Sequence, residues 1–317
     1  LEGMFFDILI KNITKIIDCA QPRNFFNNMD CKPEFDYTYD AIYRLIEAHG
    51  RENDDTLIFG ATDNYNDYPF KKTYSSGSPL AVRNYTEYYS YDAAGNMKAM
   101  KHSADLGNWT RIFDPETTNN RLRSTTVGSD TFDYTYNEHG SMKTMPHLFA
   151  IDWNVFEQMN HTDLDGGGNA YYVYDASGNR VRKIVERNNA PIQERIYLGN
   201  LEIYREMYSI DDIRFERETL HVMDDKQRIA MIDTRTIGND DYEEQLTRYQ
   251  FSNHLGTASL ELDDNAEVIS YEEYHPFGTT AHQAMNQEIK ATAKRYRYTG
   301  KERDDETGFN YHGARYY

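Results

Sequence analysis

Cysteine, tryptophan and long apolar runs are what this 317-residue sequence has least of. Two cysteines, Cys19 and Cys31, are too few for a disulfide framework in a chain of this length, so two isolated thiols are expected, with a single bridge as the alternative. No stretch approaches the roughly 20 uninterrupted apolar residues of a membrane-spanning helix. The opening LEGMFFDILIKNITKII is broken by Glu2, Asp7 and Lys11, and no small-residue cleavage site follows, so it does not read as a targeting segment. Basic charge is also short: 34 Lys and Arg against 52 Asp and Glu give a net charge of −18. Phosphate contacts need clustered cations, which excludes nucleic acid as a partner.

Chemical motifs are missing in the same way. No G-x-S-x-G occurs, and Cys19 has no recognisable histidine partner, so nothing announces a nucleophile. The ten histidines show neither HExxH nor two-cysteine spacing, and no metal or cofactor is expected. Asp163-Leu-Asp165-Gly-Gly-Gly opens like a calcium loop but lacks the later carboxylates, and it reads as a hairpin tip. His275-Pro-Phe-Gly278, His254-Leu-Gly256 and Asp114-Pro115 read as turns. The sequons at Asn12, Asn84, Asn108 and Asn160 are taken as chance.

What the chain does have is tyrosine: 27, against 15 Phe and 2 Trp, within an apolar content of only 39%. Each buried ring removes about 150–250 Å² from water, an upper bound of roughly 4–6 kcal/mol. Tyrosine also favours strands. The core is therefore expected to be thin and built on rings with polar tips.

The tyrosines repeat. YTYDAIYRLIEAHG from Tyr37, YSYDAAGNMKAM from Tyr89, YTYNEHGSMKTM from Tyr134 and YVYDASGNRVRKI from Tyr172 share Tyr-x-Tyr-Asp/Asn, and three place Gly three residues after the Asp/Asn. The positions carrying the pattern are Tyr37, Tyr39 and Asp40; Tyr89, Tyr91, Asp92 and Gly95; Tyr134, Tyr136, Asn137 and Gly140; Tyr172, Tyr174, Asp175 and Gly178. A diverged copy, RYQFSNHLGTASLEL, starts at Arg248, and the closing RYRYTGKERDDETGF keeps Tyr-x-Tyr. Two rings two positions apart point to one side of a strand. Asp or Asn starts a turn through nearby amides, and Gly supplies the positive φ that tight turns require. Each unit is thus a β-hairpin, and hairpins must stack to be stable. RNNAPIQERIYLGNLEIYREM and RFERETLHVMDDKQRIAMIDTRT read as further strands, whereas MPHLFAIDWNVFEQMN departs from the pattern and is expected as a plug or brace.

These Tyr-Asp-x-x-Gly units resemble Rhs or YD repeats, and the closing RYRYTGKERDDETGFNYHGARYY, with RYQFSNHLGTASLELDD and ISYEEYHPFGT, is similar to the Rhs repeat-associated core of bacterial polymorphic toxins. The resemblance runs from about Phe35 to Tyr317. It implies an all-β fold in which repeated hairpins form a spiralling ribbon, part of a hollow shell like that of insecticidal Tc toxin C components. It divides the chain into a lead-in at 1–34, a YD-repeat ribbon at 35–247 and a repeat-associated core at 248–317, truncated before the DPxG-type cleavage segment. In the lead-in, Ile10, Ile13, Ile16 and Ile17 have helical spacing and suggest a short helix.

The function implied is that of a non-enzymatic shell segment that encloses and helps deliver a C-terminal toxin. Its partners would be that cargo and a toxin-complex B-type component, in a secreted or cell-surface parent protein. Two alternatives follow from the same resemblance: an aspartyl self-cleaving core, inactive here, and a teneurin-like adhesion or glycan-binding surface. Arg315 matches the arginine of G-x-RYY implicated in self-cleavage, with its partner aspartates absent. On its residues alone Arg315 is expected to be packed or ion-paired, and Arg303, Asp304, Asp305 and Glu306 to form a solvated hairpin turn.

Overall fold

The computed structural model describes residues 12–26, 29–54, 81–105, 108–188, 190–285, 291, 294–313 and 315–316. Its chain is antiparallel β throughout, and no α-helix occurs among the described residues. Eight strands form one sheet, from Lys15–Ile17 and Glu34–Tyr39 to Asp130–Asp133; twelve form another, from Ala150–Trp153 to Thr280–Met285. In both, spatial order follows chain order; among the described residues the one interruption is the separate hairpin of Asn24–Phe26 and Met29–Cys31, which lies in sequence between the paired strands Lys15–Ile17 and Glu34–Tyr39. Two compact units result. One holds the described residues up to Thr135 together with Glu273–Gln283, and the other holds Tyr136–Glu272 together with those from Ala284 onward.

One turn recurs and explains the repeat. Asp92 Oδ1 accepts from the Asn96 N–H at 2.9 Å, the Asp92 N–H donates to the Asn96 carbonyl at 2.9 Å, and Gly95, at φ +93°, donates to the Asp92 carbonyl at 3.2 Å. The same side-chain-to-backbone bond, from a lead Asp or Asn to the amide four residues on, closes turns at Asp40, Asn137, Asn154, Asp175, Asn253 and Asp263. Position four of these turns has positive φ even where it is not glycine: Tyr43 at 66°, Glu157 at 58° and Ala266 at 61°. An L-residue there costs about 1–2 kcal/mol, so glycine is the common choice and the exceptions are tolerated.

Several expectations change. The lead-in helix is not what its described part adopts: Lys15–Ile17 is a strand paired with Glu34–Asp36, because β-branched Ile16 and Ile17 have a strand edge to join. Ile10 lies outside the described residues. The segment around Trp153 is neither plug nor brace. Ala150–Trp153 and Met159–Asp163 form one more hairpin, turned by Asn154 in the role of Asp and disguised by Trp in place of Tyr. Asp114-Pro115 ends the strand Trp109–Pro115, and the turn follows it. The last Tyr-x-Tyr does not open a hairpin strand: Tyr296 makes only an isolated bridge to Glu302, and Tyr298–Gly300 is a 3-10 turn. The Gly166–Gly168 tip and the turns at His254 and His275 stand as read. Cys19 is exposed and Cys31 buried, both free.

The apolar core is small. In the second unit Leu148, Ile151, Met159, Leu164, Ala170, Tyr172 and Val185 cluster, with Met145, Trp153, Tyr174, Phe309 and Tyr316 packed against them. In the first unit the cluster is Tyr85, Ala104 and Ala281. Among the described residues, buried polar side chains outnumber buried apolar ones. Buried charges are costly unless paired, so the pairing of those charges decides what the fold can do.

Candidate functional site: a buried ionic layer under a C-terminal strap

Arg180 opens the strand Arg180–Glu186, just past the Asp175 turn. Its guanidinium grips Asp304 with both terminal nitrogens, at 2.6 and 2.9 Å, and reaches Glu302 at 2.8 Å. Tyr311, Tyr197 and Tyr172 box it in, their ring centres 4.2, 5.3 and 5.5 Å away. A planar fork meeting a carboxylate and aromatic faces is the arrangement in which arginine outperforms lysine. Lys183, three residues on and brought to the same side by the register shift between Arg180 and Arg182, bonds Asp304 at 2.8 Å and Glu306 at 3.2 Å. The tyrosine hydroxyls complete the shell: Tyr197 donates to Glu302 at 2.8 Å and Tyr172 to Glu306 at 2.9 Å.

A second node adjoins the first through Glu302. Glu202 accepts from Arg295 at 2.8 Å, from Arg195 at 3.4 Å and from His221 Nε2 at 2.8 Å, and Tyr296 also donates to it. Arg228 Nε donates to His221 Nδ1 at 2.8 Å, which leaves the imidazole's other nitrogen as the donor to Glu202. A third node lies at Glu272, bonded by Lys294 at 2.8 Å and by Arg297. Across the first two nodes the cations Arg180, Lys183, Arg195, Arg228 and Arg295 are interleaved with the carboxyl groups of Glu202, Glu302, Asp304 and Glu306.

The electrostatics follow from burial and partners. Burial pushes the Glu302 carboxyl up, but Lys183 and Arg180 overcome it and hold the group at about 2. For Glu306 burial wins, with Asp304 beside it adding to the upward shift. Burial pulls the Lys183 ammonium down, yet Asp304 and Glu306 overcome it and hold its pKa well above the ordinary range.

The partners come in an order. Lys294 meets Ala258, Tyr296 meets Glu202, Glu302 meets Tyr197, Asp304 meets Arg180, Glu306 meets Tyr172 and Thr307 meets His147. Tyr316 then bonds Tyr174 at 2.5 Å. From Glu302 to Thr307 the partners fall in number from Tyr197 to His147, and Tyr311 and Tyr316 then return to Arg180 and Tyr174, so the segment is a strap laid across the sheet of the second unit.

The expected solvated turn is therefore corrected in part. Residues 305–307 do turn between Glu302–Arg303 and Asn310–Tyr311, and Asp305 is exposed, but Asp304 is fully buried and Arg303 and Glu306 nearly so. Arg180 and Lys183 supply the charge that makes this burial tolerable. Arg315 is also corrected, because its side chain is exposed and not packed; its carbonyl accepts from the His312 N–H at 2.8 Å. Of the first tyrosines of the repeats, Tyr172 reaches this layer, whereas in the first unit Tyr89 donates to Glu87 and Tyr134 shares a 2.7 Å bond with Thr125. Arg180, Lys183, Tyr197, Glu202, His221 and Arg295 were not singled out from the sequence; the only local sign was charge placed in strands that otherwise read as half-buried.

Recurrent Asp/Asn turns, tyrosine-bearing hairpins paired in chain order and a buried terminal strap define a YD-type β-ribbon protein. The toxin subunit YenC2 of Yersinia entomophaga is 30% identical over 324 residues, covering 97% of this chain and 32% of that protein, and its toxin subunit YenC1 is 28% identical with the same coverage. The chain belongs to the Rhs/YD-repeat family of Tc toxin C-component-like shell proteins. It spans about a third of the length of these curated relatives. The solved structure of TcdB2-TccC3 superposes with a TM-score of 0.77 at 28% identity, over 96% of this chain and 15% of that one. The tRNA nuclease WapA of Bacillus subtilis is 24% identical over 249 residues, 78% of this chain and 9% of that protein. No model of a known protein family matches the chain.

Proposed function

We propose that this chain is a segment of a toxin shell that encloses a C-terminal effector and helps deliver it, in a secreted or cell-surface parent protein. The observation that carries this reading is the strap: its carboxylates are buried against Arg180 and Lys183, which fixes where polypeptide beyond Tyr316 would leave the sheet. A solved relative is described as TcdB2-TccC3 without its hypervariable C-terminal region, which supports a variable cargo following the same point here. Chain-order pairing supports enclosure physically, since a continuous ribbon leaves few free strand edges. The partners proposed are the cargo and a B-type shell component. The test is protease digestion of a chain extended through its downstream effector. Protection of the effector is expected; equal digestion of the effector with and without the shell would sink the reading.

A second reading, that the longer parent cleaves itself, is favoured by one observation: the Arg315 side chain is exposed rather than consumed by the ionic layer. An aspartyl mechanism needs two carboxylates sharing a proton, so the chain as given is proposed to be inactive. In an extended chain, Arg315→Ala should abolish cleavage; undiminished cleavage would remove Arg315 from the chemistry.

A further inference from the structure

In the first unit three side chains far apart in sequence converge. Glu52 stands on the strand Leu45–Asn53, His102 on Met97–Ser103, and His275 in the turn after Val268–Tyr274. All are buried, at 5%, 1% and 4% exposure. His102 Nε2 lies 3.2 Å and His275 Nε2 3.1 Å from the same oxygen, Glu52 Oε2, and the three donor atoms fall within 4.8 Å of one another. In a tetrahedral site with bonds of about 2.0–2.1 Å, neighbouring ligand atoms are separated by about 3.3 Å. Two sides of the triangle are therefore already at ligand spacing, and the third, between the two imidazole nitrogens, is within 4.8 Å.

The groups behind these atoms are those a metal site uses to aim its ligands. His102 Nδ1 is held by Glu87 Oε1 at 3.1 Å and His275 Nδ1 by Thr279 Oγ1 at 3.1 Å, so both rings point Nε2 inward. Arg83 Nε occupies Glu52 Oε1 at 2.8 Å, leaving Oε2 for a single bond to an ion. Trp109 stacks on His102 with centroids 5.2 Å apart, and Tyr85 meets His275 edge-on at 4.6 Å, which dries the surroundings. Charge agrees. Arg51 and Glu273 neutralise each other, and with neutral imidazoles Glu52, Asp54 and Glu87 against Arg83 leave two negative charges.

We propose that Glu52, His102 and His275 bind a divalent transition-metal ion, with zinc as the ion tested because two imidazoles, one glutamate and an open position form a set that zinc uses. Three protein ligands leave a fourth position for water. His102 lies between two carboxylates, Glu87 at Nδ1 and Glu52 at Nε2, so the ion would displace its Nε2 proton and binding releases a proton there. The ion would also tie the Glu273–Gln283 segment to two strands far earlier in the chain, Glu52 lying 223 residues before His275.

The experiment uses the whole 317-residue chain, stripped with a chelator and titrated with zinc by calorimetry in two buffers of different ionisation enthalpy, with cobalt(II) as a second probe. The expected result is one equivalent bound, proton release, a higher melting temperature and visible cobalt bands of tetrahedral intensity. His275→Gln keeps an amide donor beside Glu52 and should preserve the fold while weakening zinc binding by about 100-fold or more. Two outcomes overturn the proposal. One is a wild-type chain that takes up no zinc and gives no tetrahedral cobalt spectrum; the other is a folded His275→Gln variant with wild-type affinity, which would assign the uptake to exposed histidines such as His139 and His254.

Discussion

The hydroxyl of Tyr91 donates to the carbonyl of Leu45 at 2.8 Å, across 46 positions of sequence. The second ring of other units does the same: Tyr39 to the Ile13 carbonyl at 3.0 Å and Tyr174 to that of Met159 at 2.6 Å. Where the unit carries tryptophan, Trp153 Nε1 takes over and donates to Met142 at 2.7 Å. In these four units the second ring therefore staples the hairpin to backbone that precedes it.

Removing a staple leaves a half-buried carbonyl without its donor, at a cost of about 1–2 kcal/mol. Tyr91→Phe keeps the ring and loses only the bond, so urea denaturation should show a lower midpoint with an unchanged m-value. An unchanged midpoint would mean water replaces the hydroxyl at no cost and the staple is decorative.

The turns make opposite predictions at equivalent positions. Gly95 has open space where a Cβ would go, so Gly95→Ala costs only its φ of +93°, about 1–2 kcal/mol. Ala266→Gly at φ +61° should relieve that strain, less the entropy glycine adds to the unfolded chain, for a gain of up to about 1 kcal/mol. Thermal unfolding of the two variants should move in opposite directions; parallel shifts would show that the seven turns are not one motif.

These turns were legible because everything they need lies within five residues: a short acceptor at the start and a left-handed residue fourth. The hairpins followed, and so did the all-β class. What lay outside local sequence was the pairing of charge. Arg180 and Asp304 are 124 positions apart, and on its own Arg-Asp-Asp-Glu reads as solvent-facing because unpaired charge avoids burial. Ile13, Ile16 and Ile17 misled for another reason: a few apolar residues fit both periods, and the strand partner at Glu34–Asp36 decided between them. Glu52, His102 and His275 were invisible because ligand spacing rules look for neighbours in sequence.

Breaking the ionic layer should be expensive. Asp304→Asn leaves Arg180 and Lys183 buried with one fewer anion, which costs about 3–5 kcal/mol for a buried pair. The strap should loosen before the sheet does. Limited proteolysis is therefore expected to clip the variant within residues 294–316 while the strands beneath stay protected, and cleavage spread evenly along the chain would show that the strap is not a separate closing element.

Acid should weaken the strap through His147. Burial, with Arg303 nearby, pushes this imidazole down from 6.5 to about 4, against the opposing pull of the Thr307 carbonyl that accepts from Nε2 at 2.8 Å. The folded chain therefore holds His147 neutral at pH values where the unfolded chain is protonated, and the unfolded state binds the extra proton. Stability from this group is full above about pH 6.5 and falls as the pH drops toward 4, by up to about 3 kcal/mol at 1.36 kcal/mol per unit. His147→Gln keeps a donor for Thr307 and removes the titration. Urea midpoints at pH 7.5, 5.5 and 4 should fall less steeply in the variant than in the wild type. Equal slopes would mean that the ring is solvated before the chain unfolds, and that the strap's grip at Thr307 already opens in the folded state.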